Sequence, residues 1–327
     1  MNFENVRVLV TGGAGFIGSH LVDALVGAGA RVRVLDNLSG GKRENLEQSL
    51  QHLEFREGDI RDPRACAEAC RDTAVVFHQA ALGSVPRSIA DPSSSIAVNV
   101  MGTANVFAAA RDAGVRRVVY ASSSSVYGDS TVLPKKEGQE GSPLSPYALS
   151  KRMNEELADV FGRCYGMEFI GLRYFNVYGP RQDPNGPYAA VIPRFFDANL
   201  KGEAAVVYGD GEQSRDFTFV ADAVAANLLA AGAPAASCGA AYNVGGGART
   251  TVNELARLVA EAVGGAPGAR REPARAGDVA HSLADLGRVA ARLGYMPSVN
   301  LAHGVKQAFA HYRTASRAAA PIMGMKT

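Results

Sequence analysis

Three glycines at three-residue spacing, set between an apolar run and an amphipathic segment, constrain the fold of this chain more than any other feature. The run Val6–Val10 is typical of a buried parallel strand, and Gly12, Gly15 and Gly18 follow it. Gly12 allows a tight turn, Gly15 lets the backbone approach a pyrophosphate closely, and Gly18 lets the next helix pack on the sheet. The pattern predicts a strand, a glycine turn and a helix whose first amides face phosphate groups.

A carboxylate follows the second apolar run. Val32–Leu35 is a further strand candidate, and it ends at Asp36, about 20 residues beyond the glycines, where a ribose 2′-hydroxyl is bound. A carboxylate at that place repels a 2′-phosphate. The sequence therefore predicts a dinucleotide site and favours NAD over NADP.

Apolar runs alternate with helical stretches through the first half of the chain. The runs are Val6–Val10, Val32–Leu35, Leu53–Phe55, Ala74–His78, Val118–Ala121 and Phe169–Arg173. This alternation predicts an α/β fold with a doubly wound parallel (Rossmann) sheet, in which ligands gather at the carboxyl ends of the strands. Beyond about residue 176 the alternation weakens. We therefore expect an NAD-binding domain at 1–175 whose core continues into parts of the carboxyl-terminal half, a smaller α/β substrate lobe mainly at 176–313, and a flexible tail at 314–327.

Composition and charge narrow the classes of function. The 327 residues carry a net charge of +2 without a long basic run, so nucleic acid is not an expected partner. No signal peptide or membrane span is visible in the sequence, and we expect a cytoplasmic protein. Cys66 and Cys70 lie one helical turn apart with no second pair of Cys or His nearby, so we expect idle thiols and no metal site.

Short polar motifs follow several of the predicted strands. Asp59 follows the third strand, where it either accepts a hydrogen bond from an adenine amino group or is an ordinary turn residue. Small residues follow Gln79 after the fourth strand, and they let a cofactor lie against the backbone. The run Ser122–Ser125 stands at the end of the fifth strand between strand-like segments, so we interpret it as a polar patch lining a cleft rather than a linker.

Tyr147 and Lys151 form the candidate catalytic pair. Ser145 and Pro146 open a helix at this point, and a spacing of four residues places the Tyr and the Lys on one helical face. A nearby ammonium and a cationic nicotinamide ring stabilise a phenolate, which lowers the pKa of the phenol from about 10. The pair is therefore expected to act as a base near neutral pH.

These residues together resemble the extended short-chain dehydrogenase/reductase family. The resemblance covers roughly residues 5–312, and it rests on T-G-G-A-G-F-I-G at 11–18, S-S-V-Y-G at 124–128, Y-A-L-S-K at 147–151, L-R-Y-F-N-V-Y-G-P-R at 172–181 and G-D-G-E-Q-S-R-D-F at 209–217. Within the family the chain is similar to the UDP-sugar 4-epimerases. Three further motifs are similar to the sub-group that acts on N-acetylated sugars: A-A-L-G-S-V-P-R-S at 80–88, R-Q-D-P-N-G-P-Y-A-A-V-I-P at 181–193 and G-D-V-A-H-S at 277–282.

The resemblance implies a redox cycle at one site. Tyr147, held by Lys151 and helped by Ser123, would take the proton from the sugar 4-hydroxyl while hydride passes from carbon 4 to bound NAD. The 4-keto intermediate would then turn over and receive the hydride on its other face. The cofactor contacts that the resemblance implies are Gly12, Gly15, Phe16, Ile17, Asp36, Asn37, Ser39, Gly40, Asp59, Ile60, Gln79, Ala81, Asn99, Tyr147, Lys151 and, near the nicotinamide, Phe175.

The resemblance also implies a UDP-sugar site. Its residues are Gly83, Ser84, Ser123, Ser124, Ser125, Tyr147, Asn176, Gln182, Ala190, Val191, Arg194, Phe195, Tyr208, Arg215, Arg275, Asp278 and Ser282. The planar guanidinium groups of Arg215 and Arg275 suit a diphosphate, although either is alternatively a surface charge. Tyr208 and Phe195 are alternatively core aromatics.

Two departures from related enzymes bear on the reaction and the substrate. Sugar dehydratases carry an Asp-Glu pair at the places of Ser124 and Ser125, and glucuronate decarboxylases carry a Glu at the place of Ser125. The serines therefore count against elimination and decarboxylation. Ser282 stands where epimerases restricted to non-acetylated sugars hold a bulky Tyr, which leaves room for a 2-acetamido group.

Other functions and the oligomeric state stay open. A uronic-acid epimerase or another nucleotide-sugar oxidoreductase would need a cationic or hydroxyl-rich pocket, and the four serines provide the latter. A dinucleotide-binding protein without catalysis commonly lacks the catalytic Tyr or Lys, both of which are present. A ketoreductase that releases its cofactor would leave the long carboxyl-terminal half without a role. The helical stretches 94–113 and 147–165 are where this family forms homodimers, although elements of the same chain are an alternative cover for their apolar faces.

Overall fold

The computed structural model describes residues 1–185, 189–265, 269–274 and 280–319. Its strands are β1 (Arg7–Thr11), β2 (Arg31–Asp36), β3 (Leu53–Glu57), β4 (Val75–His78), β5 (Arg117–Ser123), β6 (Glu168–Tyr174), β7 (Val177–Tyr178), β8 (Val206–Tyr208), β9 (Ser214–Asp216), β10 (Thr218–Phe219), β11 (Ala240–Val244), β12 (Arg249–Thr251) and β13 (Arg270–Glu272).

The α-helices are α1 (Phe16–Gly27), α2 (Pro63–Cys70), α3 (Val85–Ala90), α4 (Pro92–Ile96), α5 (Thr103–Asp112), α6 (Pro146–Tyr165), α7 (Val191–Leu200), α8 (Val220–Gly232), α9 (Val252–Val263), α10 (Gly287–Leu293) and α11 (Leu301–Ala319). A π-helical segment, Ala97–Gly102, joins α4 to α5. Short 3₁₀ turns lie at Arg43–Leu46, Leu50–His52, Ser124–Tyr127 and Ala235–Ser237.

Seven parallel strands form the central sheet, in the order β11-β6-β5-β4-β1-β2-β3. All six strands predicted from the apolar runs are present, and the doubly wound α/β fold is confirmed. The strand order reverses between β1 and β4, so the carboxyl ends of these strands border the crevice in which such sheets bind ligands. The seventh strand, β11, comes from the second half of the chain and pairs with β6.

Helices cover both faces of the sheet. One face packs against α1 and α8 around Leu21, Val22 and Ala226, and the other packs against α2, α5 and α6 around Val106 and Phe107. Because both faces are covered, the central strands are continuous apolar runs without alternation. Their carboxyl ends therefore present polar residues at one edge of the sheet.

A separate apolar cluster lies in the second half of the chain. Helices α7, α9 and α11 pack together around Ile192, Phe196 and Leu255. Three two-stranded sheets, β7 with β10, β8 with β13 and β9 with β12, also belong to this half of the chain. The domain division at residue 175 stays a prediction, since α8 and β11 of the second half belong to the layers of the sheet.

The carboxyl-terminal helix α11 runs to Ala319, past Thr314, where the sequence predicts the tail to begin. Residues 320–327 lie outside the described residues. None of the helices within the described ranges combines the length and the apolar character that crossing a membrane requires.

Two buried arginines fasten helices to the sheet. Arg117 of β5 donates through Nη1 to three carbonyl oxygens at the carboxyl end of α8. They belong to Ala230, Ala231 and Ala233, at 3.0, 2.9 and 2.6 Å. Its guanidinium also pairs with Glu168 of β6 at 2.6 Å. Arg33 of β2 binds the carboxyl end of α2 in the same manner. These contacts satisfy carbonyl groups that a helix end leaves without partners.

Candidate active site

The turn after β1 has the geometry that the sequence predicts for a dinucleotide loop. Gly12 adopts a φ of +70°, and a Cβ on it would lie 2.6 Å from the amide nitrogen of Ala80. A Cβ on Gly18 would overlap the carbonyl of Gly12. Helix α1 begins after Gly15 without a side-chain cap, so the amides of its first turn are not satisfied by a side chain. Such an end favours a bound anion.

Asp36 closes β2 beside this turn and is 7% exposed. Its Oδ2 accepts from the amide of Ala14 at 2.9 Å, and its Oδ1 accepts from the amide of Leu38 at 2.8 Å. Burial raises the pKa of Asp36, and these two amides oppose the rise. Three features of this region fit a dinucleotide. The glycine turn and the uncapped start of α1 suit its pyrophosphate, and the carboxylate on the neighbouring strand suits its adenosine ribose.

Five of the predicted cofactor contacts lie on two loops, one after β2 and one after β3. Asn37, Ser39 and Gly40 are exposed after β2, and Asn37 Nδ2 donates to Asp59 Oδ2 at 2.8 Å. The Arg61 guanidinium binds the same carboxylate at 2.7 Å and holds the pKa of Asp59 to about 2. Ile60, next to Asp59, is buried. Asp59 is thus an ionised acceptor with partners in its own turn, and its adenine contact stays a prediction.

Gln79, which follows β4, is held by one side chain from β6 and one from α8. Its Nε2 donates to Asn227 Oδ1 at 3.0 Å, and its Oε1 accepts from the Tyr174 hydroxyl at 3.2 Å. Asn227 Nδ2 in turn donates to the Tyr174 hydroxyl at 2.7 Å. This closed triangle fixes Gln79 beside the predicted cofactor residue Ala81, which is partly exposed.

Asn99 lies in the π-helical segment and is fully buried. Its Oδ1 accepts from the amide of Leu82 at 2.8 Å, and its Nδ2 donates to the Leu82 carbonyl and to Ser150 Oγ, both at 3.2 Å. Asn99 therefore ties the loop after β4 to α6. The sequence predicts a helix here but not its π-helical form, which often marks functional positions.

A buried chain of hydrogen bonds joins β1 to Asn99, and the sequence reasoning did not identify it. Thr11 Oγ1 lies 2.7 Å from His78 Nδ1, and His78 Nε2 lies 2.9 Å from Thr103 Oγ1. The Thr103 hydroxyl donates to the Asn99 carbonyl at 2.6 Å, so it accepts from His78, and the proton of the neutral ring is on Nε2. Burial, and then the charge of Lys151, lower the pKa of His78 to about 3.

The three predicted catalytic side chains come together at the end of β5 and the start of α6. Ser145 caps α6 by accepting from the amide of Ala148 at 3.1 Å. The hydroxyl of Ser123, the last residue of β5, lies near enough to the Tyr147 phenol to oppose the rise in its pKa. Lys151 is 3% exposed and lies 6.0 Å from the centroid of the Tyr147 ring.

Burial shifts the pKa values of both members of this pair. Desolvation raises the pKa of Tyr147, while the Ser123 hydroxyl opposes the rise. The Lys151 ammonium donates to the Ala121 carbonyl oxygen at 2.8 Å. The lowering of the Tyr147 pKa that the sequence predicts depends on a bound cationic nicotinamide as well as on Lys151, and it stays a prediction. Burial lowers the pKa of Lys151 to about 8, and the charge of Glu155 opposes that fall.

The serine run is the end of a strand and a tight turn, which confirms that it is not a linker. Ser123 Oγ accepts from the amide of Ser125 at 3.1 Å, and Ser124 is partly exposed in the same turn. Ser125 Oγ is buried and has no hydrogen-bond partner within the described ranges. Phe175 is fully buried against the ring of Tyr127.

A cleft of about 670 Å³ opens in the second lobe. Six of the predicted substrate residues line it: Asn176, Val191, Arg194, Phe195, Tyr208 and Arg215. Arg215 donates through Nη1 to the carbonyl oxygens of Ser214 and Ala280. Phe195 is buried in the wall of the cleft, so it belongs to the apolar core and also lines the cleft. Ala190 stands at the start of α7 beside this cleft.

The cleft also contains residues that the sequence reasoning did not assign. Val206, Gln213 and Arg270 line it, and Asp197 and Glu203 add two carboxylates. Gln213 lies inside the motif at 209–217, and that motif was the available signal. Arg270 had no motif to indicate it, because its place depends on the pairing of β13 with β8.

The remaining predicted substrate residues are dispersed around this region. Ser84 caps α3 by accepting from the amide of Arg87, and Gly83 before it is exposed. Gln182 donates to the Val177 carbonyl at 3.1 Å, and its buried Oε1 has no partner in the part of the chain described. Arg275 and Asp278 lie outside the described residues.

Asn176 and Ser282 are set near the cleft by neighbouring backbone. Asn176 adopts a φ of +35° and donates to the Asp216 carbonyl at 3.0 Å. Ser282 is 7% exposed, and its amide donates to the Ser214 carbonyl at 3.0 Å. Burial raises the pKa of Asp216, which accepts from three backbone amides, to about 6.

The cysteine pair on α2 is inert in its surroundings. Burial raises the pKa of Cys66 and of Cys70 to about 12, and Cys66 Sγ donates to the Ile60 carbonyl at 3.2 Å. Among the described residues there is no group of three or more His, Cys, Asp or Glu side chains placed to hold a metal ion.

Comparisons with known proteins agree with this geometry. Residues 8–245 match the NAD dependent epimerase/dehydratase family. The UDP-glucose 4-epimerase of Mycolicibacterium smegmatis is 41% identical over 316 residues, which are 95% of this chain and 100% of that protein. The UDP-N-acetylglucosamine 4-epimerase of Methanobrevibacter ruminantium, solved with UDP-N-acetylmuramic acid, superposes with a TM-score of 0.91 at 38% identity, over 95% of this chain and 99% of that one.

A third relative was solved with its cofactor. The UDP-glucose 4-epimerase of Thermus thermophilus in complex with NAD superposes with a TM-score of 0.87 at 39% identity, over 95% of this chain and 100% of that one. The chain therefore belongs to the NAD dependent epimerase/dehydratase family, within the extended short-chain dehydrogenases/reductases. The resemblance to UDP-sugar 4-epimerases is confirmed, and NAD is the cofactor of the family.

Proposed function

We propose that this chain interconverts the 4-epimers of UDP-N-acetylhexosamines, UDP-GlcNAc and UDP-GalNAc, and retains its NAD through the cycle. The observation that carries the proposal is the meeting of Tyr147, Ser123 and Lys151 at the crevice edge of a sheet whose glycine turn fits a dinucleotide. These residues supply a proton acceptor, a hydrogen-bonding hydroxyl and a fixed cation within one small region.

The chain's own residues account for cofactor binding. The amides of the turn at 12–18 face the pyrophosphate, and Asp36 accepts from the hydroxyls of the adenosine ribose. Gln79, Ala81 and Asn99 line the cofactor groove, with Phe175 near the nicotinamide. When bound, NAD supplies the hydride acceptor and donor that a 4-epimerisation requires.

Proton transfer is assigned to Tyr147. It removes the proton from the sugar 4-hydroxyl in the oxidative half of the cycle and returns it in the reductive half. Ser123 orients the sugar oxygen towards the phenol, because its hydroxyl lies beside Tyr147. Lys151 places a positive charge beside the phenol, which favours the phenolate once substrate is present.

The second lobe is proposed to hold the nucleotide. Arg194 and Arg215 in the cleft, together with Arg275, offer guanidinium groups to the diphosphate, for which their planar shape is suited. Val191 and Tyr208 frame the base, and Asp278 accepts from the ribose.

Side-chain size and charge select the substrate in this proposal. Ser124 and Ser125 provide hydroxyls where elimination or decarboxylation would need carboxylates. Ser282 is small and nearly buried, so it leaves room for a 2-acetamido group. The uronic-acid alternative instead relies on hydroxyls to hold a carboxylate, and Ser125, whose hydroxyl has no partner in the described ranges, is a candidate for that contact.

The test is direct assay of the purified protein with UDP-GlcNAc, UDP-glucose and UDP-glucuronic acid, without added cofactor. We expect UDP-GalNAc to form from UDP-GlcNAc, with transient absorbance of reduced nicotinamide. Conversion of UDP-glucuronic acid alone would replace the proposal with the uronic-acid epimerase. If protein with full NAD content converts none of these three UDP-sugars, 4-epimerisation is refuted.

We also propose a homodimer formed by the two helical stretches at 94–113 and 147–165. Met101, Leu149 and Val160 on these stretches are exposed although they are large and apolar. Packing the faces of two copies together would remove this apolar surface from water. Light scattering that gives the mass of a monomer at all concentrations would rule the dimer out.

A further inference from the structure

Glu155 lies one helical turn beyond Lys151 on α6, and two strands of the sheet hold its carboxylate. Arg173 of β6 donates through Nε to Oε1 at 2.9 Å and through Nη2 to Oε2 at 2.7 Å. Ser122 of β5 donates to Oε1. Ser122 and Arg173 are register partners in the sheet. A bidentate guanidinium–carboxylate pair has one strongly preferred geometry, so this contact fixes α6 against both strands.

The same part of β5 holds Lys151. Ala121, the residue before Ser122, accepts from Lys151 Nζ at 2.8 Å. Two consecutive strand residues thus hold two helix residues that are one turn apart, Lys151 and Glu155. A rotation or slip of α6 would break both contacts together.

Arg173 also reaches the turn that carries the serines. Its Nη1 donates to the Tyr127 hydroxyl at 3.1 Å and to Glu140. Tyr127 ends the turn that contains Ser124 and Ser125, and its hydroxyl donates to Asn243 Oδ1 at 2.7 Å. One guanidinium, of which only 7% of the side chain is exposed, therefore connects the helix of the catalytic pair to the serine turn.

The charges around Lys151 favour its ammonium form. On its own helix it faces Tyr147 and Glu155, and on β4 it faces His78, which is neutral. On β6 the single charge of Arg173 is shared between Glu155 and Glu140. Glu155 is the charged group that raises the pKa of Lys151.

We propose that Glu155, held by Arg173, is a positioning residue that keeps the Lys151 ammonium in place and charged beside Tyr147. The kinetic consequence rests on the proposed function, whereas the protonation of Lys151 is measurable without turnover. Burial alone would favour the neutral amine, and Glu155 opposes that effect. A fall of one pH unit in the pKa of Lys151 reduces its charged fraction at pH 8 about fivefold.

The experiment is a pH titration of lysine signals by NMR in the holoenzyme. The chain has only seven lysines, so ¹³C-labelled ε-carbons give few signals, and Lys151→Met identifies the one of interest. We expect Glu155→Gln to lower the pKa of Lys151 and to move the alkaline limb of the pH–rate profile to lower pH. Glu155→Asp, which keeps the charge, should restore both towards the wild-type values.

Glu168→Gln is the matched control. Glu168 also pairs with a buried arginine, Arg117, across the same two strands β5 and β6, at 2.6 Å. Its loss should weaken the fold without moving the pKa of Lys151. A wild-type Lys151 pKa in folded Glu155→Gln, or equal shifts in Glu155→Gln and Glu168→Gln, would overturn the inference.

Two further outcomes keep the test decisive. If Glu155→Gln does not fold, the wild-type titration decides, because a Lys151 pKa below 7 would show that Glu155 does not keep the lysine charged. Absence of epimerase activity on every UDP-sugar, with the predicted shift of Lys151 intact, would refute the proposed function and support this inference.

Discussion

The ammonium nitrogen of Lys151 lies 2.8 Å from the carbonyl oxygen of Ala121, two residues before Ser123 on the same strand. This contact joins α6 to the carboxyl end of β5. Because Tyr147 is on α6 and Ser123 ends β5, this hydrogen bond helps to set the distance between the phenol and the Ser123 hydroxyl. The proposed proton transfer depends on this junction.

Replacing Tyr147 with Phe removes the phenol oxygen and leaves the ring in place. Loss of a general acid–base group typically costs about 10²–10⁴-fold in rate, so we expect kcat to fall by that amount. NAD content should be unchanged, since the turn at 12–18 and Asp36 are untouched. Steady-state kinetics with a nucleotide count on the same preparation checks this, and turnover close to wild type would remove Tyr147 from the mechanism.

Replacing Ser282 with Tyr should separate the two classes of sugar. Ser282 is 7% exposed. In the proposed site a large ring at this position would occupy the space of the 2-acetamido group. We expect UDP-GlcNAc turnover to be abolished and UDP-glucose turnover to be spared, measured as a ratio of kcat/KM values. Ser282→Ala keeps the space and should keep the ratio. An unchanged ratio in Ser282→Tyr would contradict the size argument.

Asp36→Asn tests the cofactor assignment. The carboxylate is fixed by two backbone amides, and removing its charge weakens a charge-assisted contact to the ribose. Hydrogen bonds to charged groups contribute about 1.5–3 kcal/mol, so NAD affinity should fall roughly tenfold or more. The dissociation constant of the stripped protein measures this. Asp72→Asn, an exposed carboxylate paired with Arg7, is the control, and equal losses in both variants would argue against a ribose contact.

Arg117→Met tests the fastening of α8 to the sheet. The side chain is 3% exposed and satisfies three carbonyl groups, so its loss leaves buried acceptors without a donor. We expect a loss of about 3 kcal/mol in the free energy of unfolding. Arg7→Met, at an exposed pair, should cost under about 1 kcal/mol. Urea midpoints that coincide for the two variants would count against this account.

The buried neutral ring of His78 makes stability depend on pH. Its pKa is about 3 in the fold against 6.5 for an ordinary histidine, so the unfolded chain binds the extra proton between these values. Stability from this residue is therefore complete above pH 6.5 and falls as the pH falls, by about 2 kcal/mol between pH 6.5 and 5.

The comparison is with His78→Gln, because other groups also titrate in that range. Asp216, whose pKa is raised to about 6, acts in the opposite sense, since the fold gains stability as that carboxyl is protonated. We expect the wild type to lose more stability than His78→Gln when both are unfolded at pH 6.5 and at pH 5. Parallel losses would show that His78 is not neutral in the fold.

Local patterns were sufficient for the sheet and for the catalytic helix. Buried strands need continuous apolar residues, the turn at Gly12 needs a residue without a side chain, and Ser145 with Pro146 starts a helix by its own chemistry. Each of these requirements involves only a few neighbouring residues, so it is visible in the sequence. The prediction of the six strands in the first half of the chain rests on them.

Contacts between distant segments were not predictable in the same way. The pairing of β11 with β6 joins residues about 70 positions apart, and an isolated apolar run at 240–244 does not identify its partner. The contact of Glu155 with Arg173 and the lining of the cleft by Arg270 depend on such pairings. The burial of Tyr147, which raises its pKa, also depends on packing between distant segments.

The most direct test of the central claim uses UDP-GlcNAc that carries deuterium at carbon 4, with no added cofactor and ordinary water as solvent. If the hydride leaves carbon 4 and returns to the same sugar, the UDP-GalNAc formed retains its deuterium. Product that has exchanged deuterium for solvent hydrogen, or no UDP-GalNAc at all from protein with full NAD content, would contradict the account.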